Sequence, residues 1–285
     1  MNELQAKVYE IWQEIDKVCR NNKIEYFAIG GTCLGAVRHK GFIPWDDDID
    51  IAIPIENYER FIKIAQKEMP SYLTVRFPND FYKYTSMFIK IVDKRTTLIE
   101  NGKGVEEYDG VFVDVMPLSG IPSKKIQRYF FAKKLLLYQK LNYKRRRGFY
   151  ENDSLLGKGI WCITYLFLRN HSFDYYYKKY YKEIKKYKFY ESEYTGYSWS
   201  PVRIYKEIYR REVFSPAQYL DFENDQIPCP HDPHSFLTGM FGEYMVVPEI
   251  KEREWHTSFY DLSRPASYYR NNQEKVQNRM QEDKK

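Results

Sequence analysis

Cysteine is scarce in this 285-residue chain: Cys19, Cys33, Cys162 and Cys229 are its only four, scattered and without a Cys-x-x-Cys pair. That pattern argues against a disulfide framework or a zinc site and predicts reduced, mostly buried thiols. Long apolar runs are missing too. None reaches the roughly 18 residues that span a bilayer, and the opening Met-Asn-Glu-Leu-Gln-Ala-Lys lacks a signal-peptide core. The expected location is therefore cytoplasmic, with room for peripheral contact at the inner face of the membrane. No internal repeat is visible. Acid is absent from Lys124 to Arg147, a stretch with ten Lys and Arg; removing those ten from the formal +6 leaves the rest of the chain at −4. Such a block reads either as a solvated helix face or as a surface for an anionic partner. No recognised RNA or DNA motif accompanies it, so nucleic acid is not the expected partner.

What is present is enough for a core. Hydrophobic residues make up 43%, with 28 tyrosines and 18 phenylalanines among them. The length suits one large domain or a domain with a sizeable appendage. Leu4, Val8, Ile11, Ile15 and Val18 alternate spacings of four and three, the stripe of an amphipathic helix. Tyr26–Ile29 reads as a short buried strand entering Gly30-Gly31, and Thr32 is placed to cap a short helix through Leu34, Ala36 and Val37. Ile49, Ile51 and Ile53 alternate with Asp48, Asp50 and Ala52, a strand with one apolar face, stopped by Pro54. A helix across Tyr58, Phe61, Ile62 and Ala65 follows. Leu73–Phe77, Phe88–Val92 and Val111–Val115 read as further strands, the last carrying Asp114. Beyond about residue 120 the chain turns basic, aromatic and helical. Its most apolar segment is Trp161–Leu168, a tyrosine- and lysine-rich helix is expected from Tyr175 to Tyr190, and the tail after Asn271 is polar.

The chemistry concentrates where Gly30-Gly31 precedes Asp46, Asp47, Asp48 and Asp50. Four carboxylates in five positions repel one another and lose hydration, a penalty that bound divalent cations remove. Strand alternation puts Asp48 and Asp50 on one side, about 7 Å apart. Asp46 shares their parity, whereas Asp47 is expected to point away. Asp114 can join from a second strand, and three acids from two strands can hold one or two Mg²⁺. The Gly30-Gly31 turn opens a helix whose N–H groups favour an anion, with Arg38, His39 and Lys40 expected to neutralise further phosphate charge.

A glycine turn, a short helix, Asp-x-Asp on one strand and a third Asp on a later strand resemble the nucleotidyltransferase superfamily. The wording of Gly31-Thr32-Cys33-Leu34-Gly35-Ala36-Val37-Arg38-His39-Lys40-Gly41-Phe42-Ile43-Pro44-Trp45-Asp46-Asp47-Asp48-Ile49-Asp50 resembles the LicD family more closely. Val111–Leu118 looks like that family's third-aspartate strand. Phe222-Glu223, Ile227–Pro230, Phe241–Met245 and Pro248 look like its C-terminal motif. The likeness covers roughly residues 25–120 and 210–260. Where the family usually has an Asp-Tyr pair after the second proline, this chain has His231-Asp232-Pro233-His234.

The resemblance implies an α/β (α+β) fold: a nucleotidyltransferase-like mixed β-sheet core with flanking helices and a largely helical C-terminal part. It divides the chain into a catalytic core at 1–120, a basic aromatic helical insertion at 121–205, a C-terminal motif region at 206–270 and a polar tail at 271–285. It also implies a Mg²⁺- or Mn²⁺-dependent transferase that moves a phospho-alcohol from a CDP-activated donor to a glycan or glycolipid hydroxyl, with phosphocholine the leading candidate. Asp46, Asp48, Asp50 and Asp114 would hold the metal, with Asp114 alternatively the base toward the acceptor. Gly30, Gly31 and Thr32 would hold the pyrophosphate, and His256 would donate to the leaving phosphate. Two other readings remain: nucleotidyl transfer to a small molecule or sugar phosphate, and a non-catalytic membrane-associated binding protein. Residues 124–147 and 161–168 together could seat an enzyme on an anionic membrane, or could be a solvated helix beside a core helix.

Overall fold

The computed structural model describes residues 1–77, 86–101, 109–147, 159, 168, 170–172, 174–196, 207–253 and 256–272. The Trp161–Leu168 segment, Leu168 apart, and the tail beyond 272 lie outside the described residues.

The first helix, α1 (Glu3–Asn21), starts at an Asn2–Gln5 capping box and turns Leu4, Val8, Ile11, Trp12, Ile15 and Val18 into the core. The chain then runs through β1 (Phe27–Ala28), α2 (Gly30–His39), β2 (Asp50–Pro54), α3 (Ile55–Glu68), β3 (Leu73–Arg76), β4 (Ile89–Asp93), β5 (Thr97–Glu100) and β6 (Phe112–Leu118). Five of these strands form one mixed sheet in the order β1-β2-β6-β4-β3, with only β2 and β6 parallel. Every residue of β4 and β6 is buried, and β2 is buried after Asp50. The expected half-apolar strand is thus buried almost throughout, with α1 and α3, which also contact each other, packed against the sheet. Tyr58 of α3 links two strands by donating to Val115 O (2.9 Å) and accepting from Ile89 N (3.0 Å).

Beyond the sheet, helices alternate with short strands. These are β7 (Gly120–Ile121), α4 (Lys125–Arg147), α5 (Tyr175–Ile184), β8 (Tyr194–Gly196), β9 (Ile208–Arg210), β10 (Gln218–Phe222), β11 (Asp225–Cys229), α6 (Pro233–Phe241), β12 (Thr257–Asp261) and α7 (Ala266–Arg270). The fold class is α+β. The tyrosine-rich helix stops at Ile184, six residues before its expected end. Two late elements reach back toward the first half: the β10–β11 hairpin lies against α2 and β1, and β12 pairs antiparallel with β5.

Candidate active site

Strand register builds the site. Asp50 is paired with Asp114 across β2 and β6, and Lys90 with Asp114 across β4 and β6. Residues opposite one another share a face, so Asp50, Asp114 and Lys90 form one rung across three adjacent strands. Lys90 Nζ lies 3.3 Å from Asp114 Oδ1, 3.6 Å from Glu100 Oε2 and 3.1 Å from the centroid of the Phe112 ring. Burial alone would push the Lys90 ammonium down, but Asp114 and Glu100 outweigh it and hold the group above its ordinary value. Sequence reasoning placed Lys90 in a strand and gave it no role. The available signal was one charge inside the apolar run Phe88–Val92.

The acid run precedes β2 rather than lying in it, since the strand begins at Asp50. Parity therefore does not apply to residues 46–49, and the outward placement of Asp47 is corrected. Asp47 is buried, its Oδ2 accepts from Thr257 N (3.0 Å), and one ligand atom each of Asp47, Asp48 and His256 lies within 4.8 Å of the other two. His256 Nδ1 stands 3.8 Å from Asp48 Oδ2. Gln5 of α1, itself buried, holds this segment by donating from Nε2 to Asp46 O (2.8 Å) and Ile43 O (3.3 Å). Thr32 accepts from Asp50 N (2.8 Å).

Desolvation dominates the electrostatics. Burial pushes the Asp46 carboxyl up to about 6, with His256 opposing the rise and Asp47 adding to it. Asp48 and Asp50 are driven well above the carboxylate range, first by burial and then by neighbouring carboxylates, Asp50 being the largest for Asp48 and Asp114 for Asp50. The buried Oδ1 of Asp47 has no hydrogen-bond partner among the described residues. An orphaned buried oxygen beside carboxylates that resist ionisation fits a divalent cation, and a mainly oxygen ligand set favours a hard one.

A folded state that holds these protons more tightly than the unfolded chain is favoured by them at low pH. That contribution is lost as pH climbs through about 6 for Asp46, and higher for Asp48 and Asp50. A bound cation would replace the protons. The Mg²⁺-induced rise in Tm should accordingly be small near pH ~5 and much larger near pH ~8. Thermal scans with and without Mg²⁺ across that range test this, and a pH-independent rise would contradict it.

The Gly30–Thr32 turn lies directly against the acids. Helix α2 starts at Gly30 with φ +56°, and its N-cap is Ile29, not Thr32. Thr32 lies inside the first turn, where its hydroxyl serves Asp50. A Cβ at Gly31 would sit 2.3 Å from Asp46 Oδ2, and one at Gly30 would be 3.4 Å from Asp50 Oδ2. Gly31→Ala should therefore displace the Asp46 carboxylate while leaving the fold intact. The expected result is a Tm within a few degrees of wild type and a clearly smaller Mg²⁺-induced rise; an unchanged rise would remove Asp46 from the cation site.

Arg38, His39 and Lys40 are not gathered at that turn. They follow in sequence, but the ten residues of α2 separate them from it by about 13 Å. Arg38 Nη1 donates to Tyr244 O (2.6 Å) and Val246 O (3.3 Å), and the His39 ring packs edge-on to Trp45. Lys40 Nζ faces Asp221 Oδ2 at 3.9 Å in a separate cleft shared with Asp16, Arg20 and Asp225. The helix thus places all three at its opposite end from the Gly30 turn. The departure at His231–His234 also has a local reason. Asp232 caps α6 by accepting from Ser235 N (3.0 Å), Pro233 opens that helix, and His234 Nδ1 is 3.0 Å from Tyr244 Oη.

Comparison with known proteins adds three findings. Residues 23–135 match the family described as LicD/FKTN/FKRP, nucleotidyltransferase domain. The lipopolysaccharide cholinephosphotransferase LicD of Haemophilus influenzae is 28% identical over 263 residues, which cover 90% of this chain and 95% of that protein. An uncharacterised protein of Rickettsia prowazekii is 29% identical over 102 residues, 29% of this chain and 38% of its own length.

Proposed function

With residues 23–135 a LicD-family nucleotidyltransferase domain, we propose that this enzyme transfers a phospho-alcohol, phosphocholine foremost, from a CDP-activated donor to a hydroxyl of a cell-surface glycan or its lipid-linked precursor. The observation that carries the reading is the rung Asp50–Asp114–Lys90 together with Asp46, Asp47, Asp48 and His256, with Asp46 and Asp50 against the first turn of α2. The near full-length similarity to a cholinephosphotransferase supports the choice of choline and of a glycan acceptor.

In this reading Asp46, Asp48, Asp50 and Asp114 hold one or two Mg²⁺ or Mn²⁺ ions, with Asp47 and His256 as neighbours able to share the task. When bound, the metal supplies charge neutralisation for the donor phosphates. Gly30, Gly31 and Thr32 present the start of α2 to the pyrophosphate. The acceptor oxygen attacks the distal phosphorus in line, the bond from that phosphorus to the bridging oxygen breaks, and CMP leaves. The acceptor proton passes to the Asp114 carboxylate when that group is not ligating metal. His256, 61% exposed and next to Asp48, is free to turn toward the leaving phosphate. Positioning and fixed charge supply most of the acceleration.

A second reading, nucleotidyl transfer to a small molecule or sugar phosphate, draws on the same domain and the same acids. ³¹P NMR of the protein with Mg²⁺, a glycolipid extract and, in turn, CDP-choline, CDP-glycerol, CDP-ribitol or CDP-ethanolamine separates the two. CMP released from one donor establishes phospho-alcohol transfer and identifies the alcohol. Absence of both turnover and calorimetric binding with every CDP donor would sink it in favour of a nucleoside triphosphate substrate.

A further inference from the structure

We propose that the outer face of α4 docks on an anionic membrane surface, the helix lying in the plane of the lipid headgroups. Helix α4 has two apolar faces. Phe131, Ala132 and Leu135 are buried on the inner one, where Lys134 pairs with Glu183 of α5 at 2.8 Å. Arg128 also turns back on the protein, donating to Pro122 O (3.0 Å) and Ser123 O (3.1 Å) with its guanidinium over the Tyr194 ring.

The outer face runs through Ile126, Phe130, Lys133, Leu137, Lys140 and Lys144, spaced by fours and threes. Such spacing makes one stripe, and from Ile126 to Lys144 it is about 27 Å long. Ile126 is 62% exposed, Phe130 64% and Leu137 53%. Three large apolar side chains aligned outward on one helix are not what a solvated face carries. The lysines among them complete the pattern of an interfacial helix, which sinks its apolar residues to the acyl boundary while its ammonium groups meet anionic headgroups. Charge selects among occupants. With Lys133, Lys140 and Lys144 on this face and no acid between residues 124 and 147, two copies of this face would repel each other, whereas an anionic bilayer attracts it. No described helix is long and apolar enough to cross a membrane. The expected contribution of 161–168 is not needed, because α4 carries both the charge and the apolar residues. The proposal stands independently of the transferase reading.

Cosedimentation of the full-length protein with phosphatidylcholine vesicles, with and without phosphatidylglycerol, tests it. Binding should require phosphatidylglycerol and weaken with salt. It should fall at least about tenfold in Ile126→Ser/Phe130→Ser/Leu137→Ser and, separately, in Lys133→Glu/Lys140→Glu, since each lysine near the surface is worth about a fivefold change. Both variants alter solvent-facing positions, and an unchanged Tm confirms that each is folded. No binding at low salt, equal binding to neutral vesicles, or binding that survives both variants would each overturn the assignment. So would sedimentation velocity showing a dimer that the serine variant dissolves, which would give the face to a second copy.

Discussion

Asp50→Asn is expected to abolish CMP release and at the same time raise the Tm of the metal-free protein at neutral pH. The two effects share one cause. Asp50 is placed by its rung with Asp114, by the Thr32 hydroxyl on its N–H, and by Gly30, whose missing side chain leaves Oδ2 room. Burial, then Asp114 and Asp46, hold its carboxyl well above the ordinary range. Near neutrality the ionised cluster is therefore under strain, and a neutral isostere relieves part of it. Removing one such repulsion should stabilise by on the order of 1 kcal/mol, or a few degrees in Tm. The same change would remove the cation ligand proposed at this position, for which a loss of at least ~10³-fold in turnover, about 4 kcal/mol of barrier, is expected. Asp48→Asn should follow the same pattern. Asp93→Asn provides the contrast. Asp93 is fully buried but accepts from Arg95 N, Nε and Nη2 at 2.7 to 3.0 Å, so it should lose stability and keep turnover. A lower Tm together with unchanged turnover in Asp50→Asn would make Asp50 a structural acid and dismantle the site.

Periodicity made much of the framework legible. The four-three stripe of α1 is a property of a single segment, and burial enforces it directly; β2 and β6 were legible as strands from their alternation, although nearly all of their residues are buried. The site was legible only in part, because its assembly depends on pairings between segments. Nothing local to Val111–Val115 or Phe88–Val92 states that Asp114 will stand beside Asp50 on one side and Lys90 on the other; strand order and register decide it. Asp47 failed for a related reason. Parity is a rule of pleated strands, and residues 46–49 approach β2 as irregular backbone held by Gln5 and Thr257.

The resemblance also mixed two kinds of residue. Within its wording, Gly31 abuts the Asp46 carboxylate. Gly35 and Gly41 serve packing instead: a Cβ at Gly35 would lie 2.4 Å from Gly41 O, and one at Gly41 would lie 2.3 Å from Glu223 Oε1. Glu223 accepts from Phe42 N (2.9 Å), and its own N–H donates to Lys40 O (2.8 Å), so the hairpin turn after β10 clamps the turn after α2. Two distant parts of the family pattern, around Gly41 and around Phe222-Glu223, thus meet as one structural joint. A motif read as a string cannot separate such a joint from the catalytic positions, whereas the closest approach of each glycine can.

Lys90→Met should move stability opposite to Asp50→Asn while also reducing turnover. Lys90 is buried, its ammonium within 4 Å of Asp114 and Glu100, and it brings positive charge to the acid cluster from β4. Deleting one side of a buried ion pair leaves the other uncompensated, at a cost of about 3 kcal/mol or more. Here the orphaned charge also faces Asp50 and Asp48, so the metal-free Tm should drop by several degrees and Mg²⁺ should restore part of it. In the proposed reaction Lys90 would act through Asp114, as a positioning residue, so kcat should fall roughly 10²-fold with a smaller change in KM. Lys90→Arg, which keeps the charge, should recover part of both losses. The decisive comparison is Lys90→Met/Asp114→Asn. If the lysine serves the carboxylate, removing both charges should return stability close to wild type, a coupling that the single variants cannot produce by addition. Turnover should stay lost, because the acid that the lysine supports is gone. A single Lys90→Met protein with wild-type Tm and kcat would show that the Asp50–Asp114–Lys90 rung is only a feature of strand register.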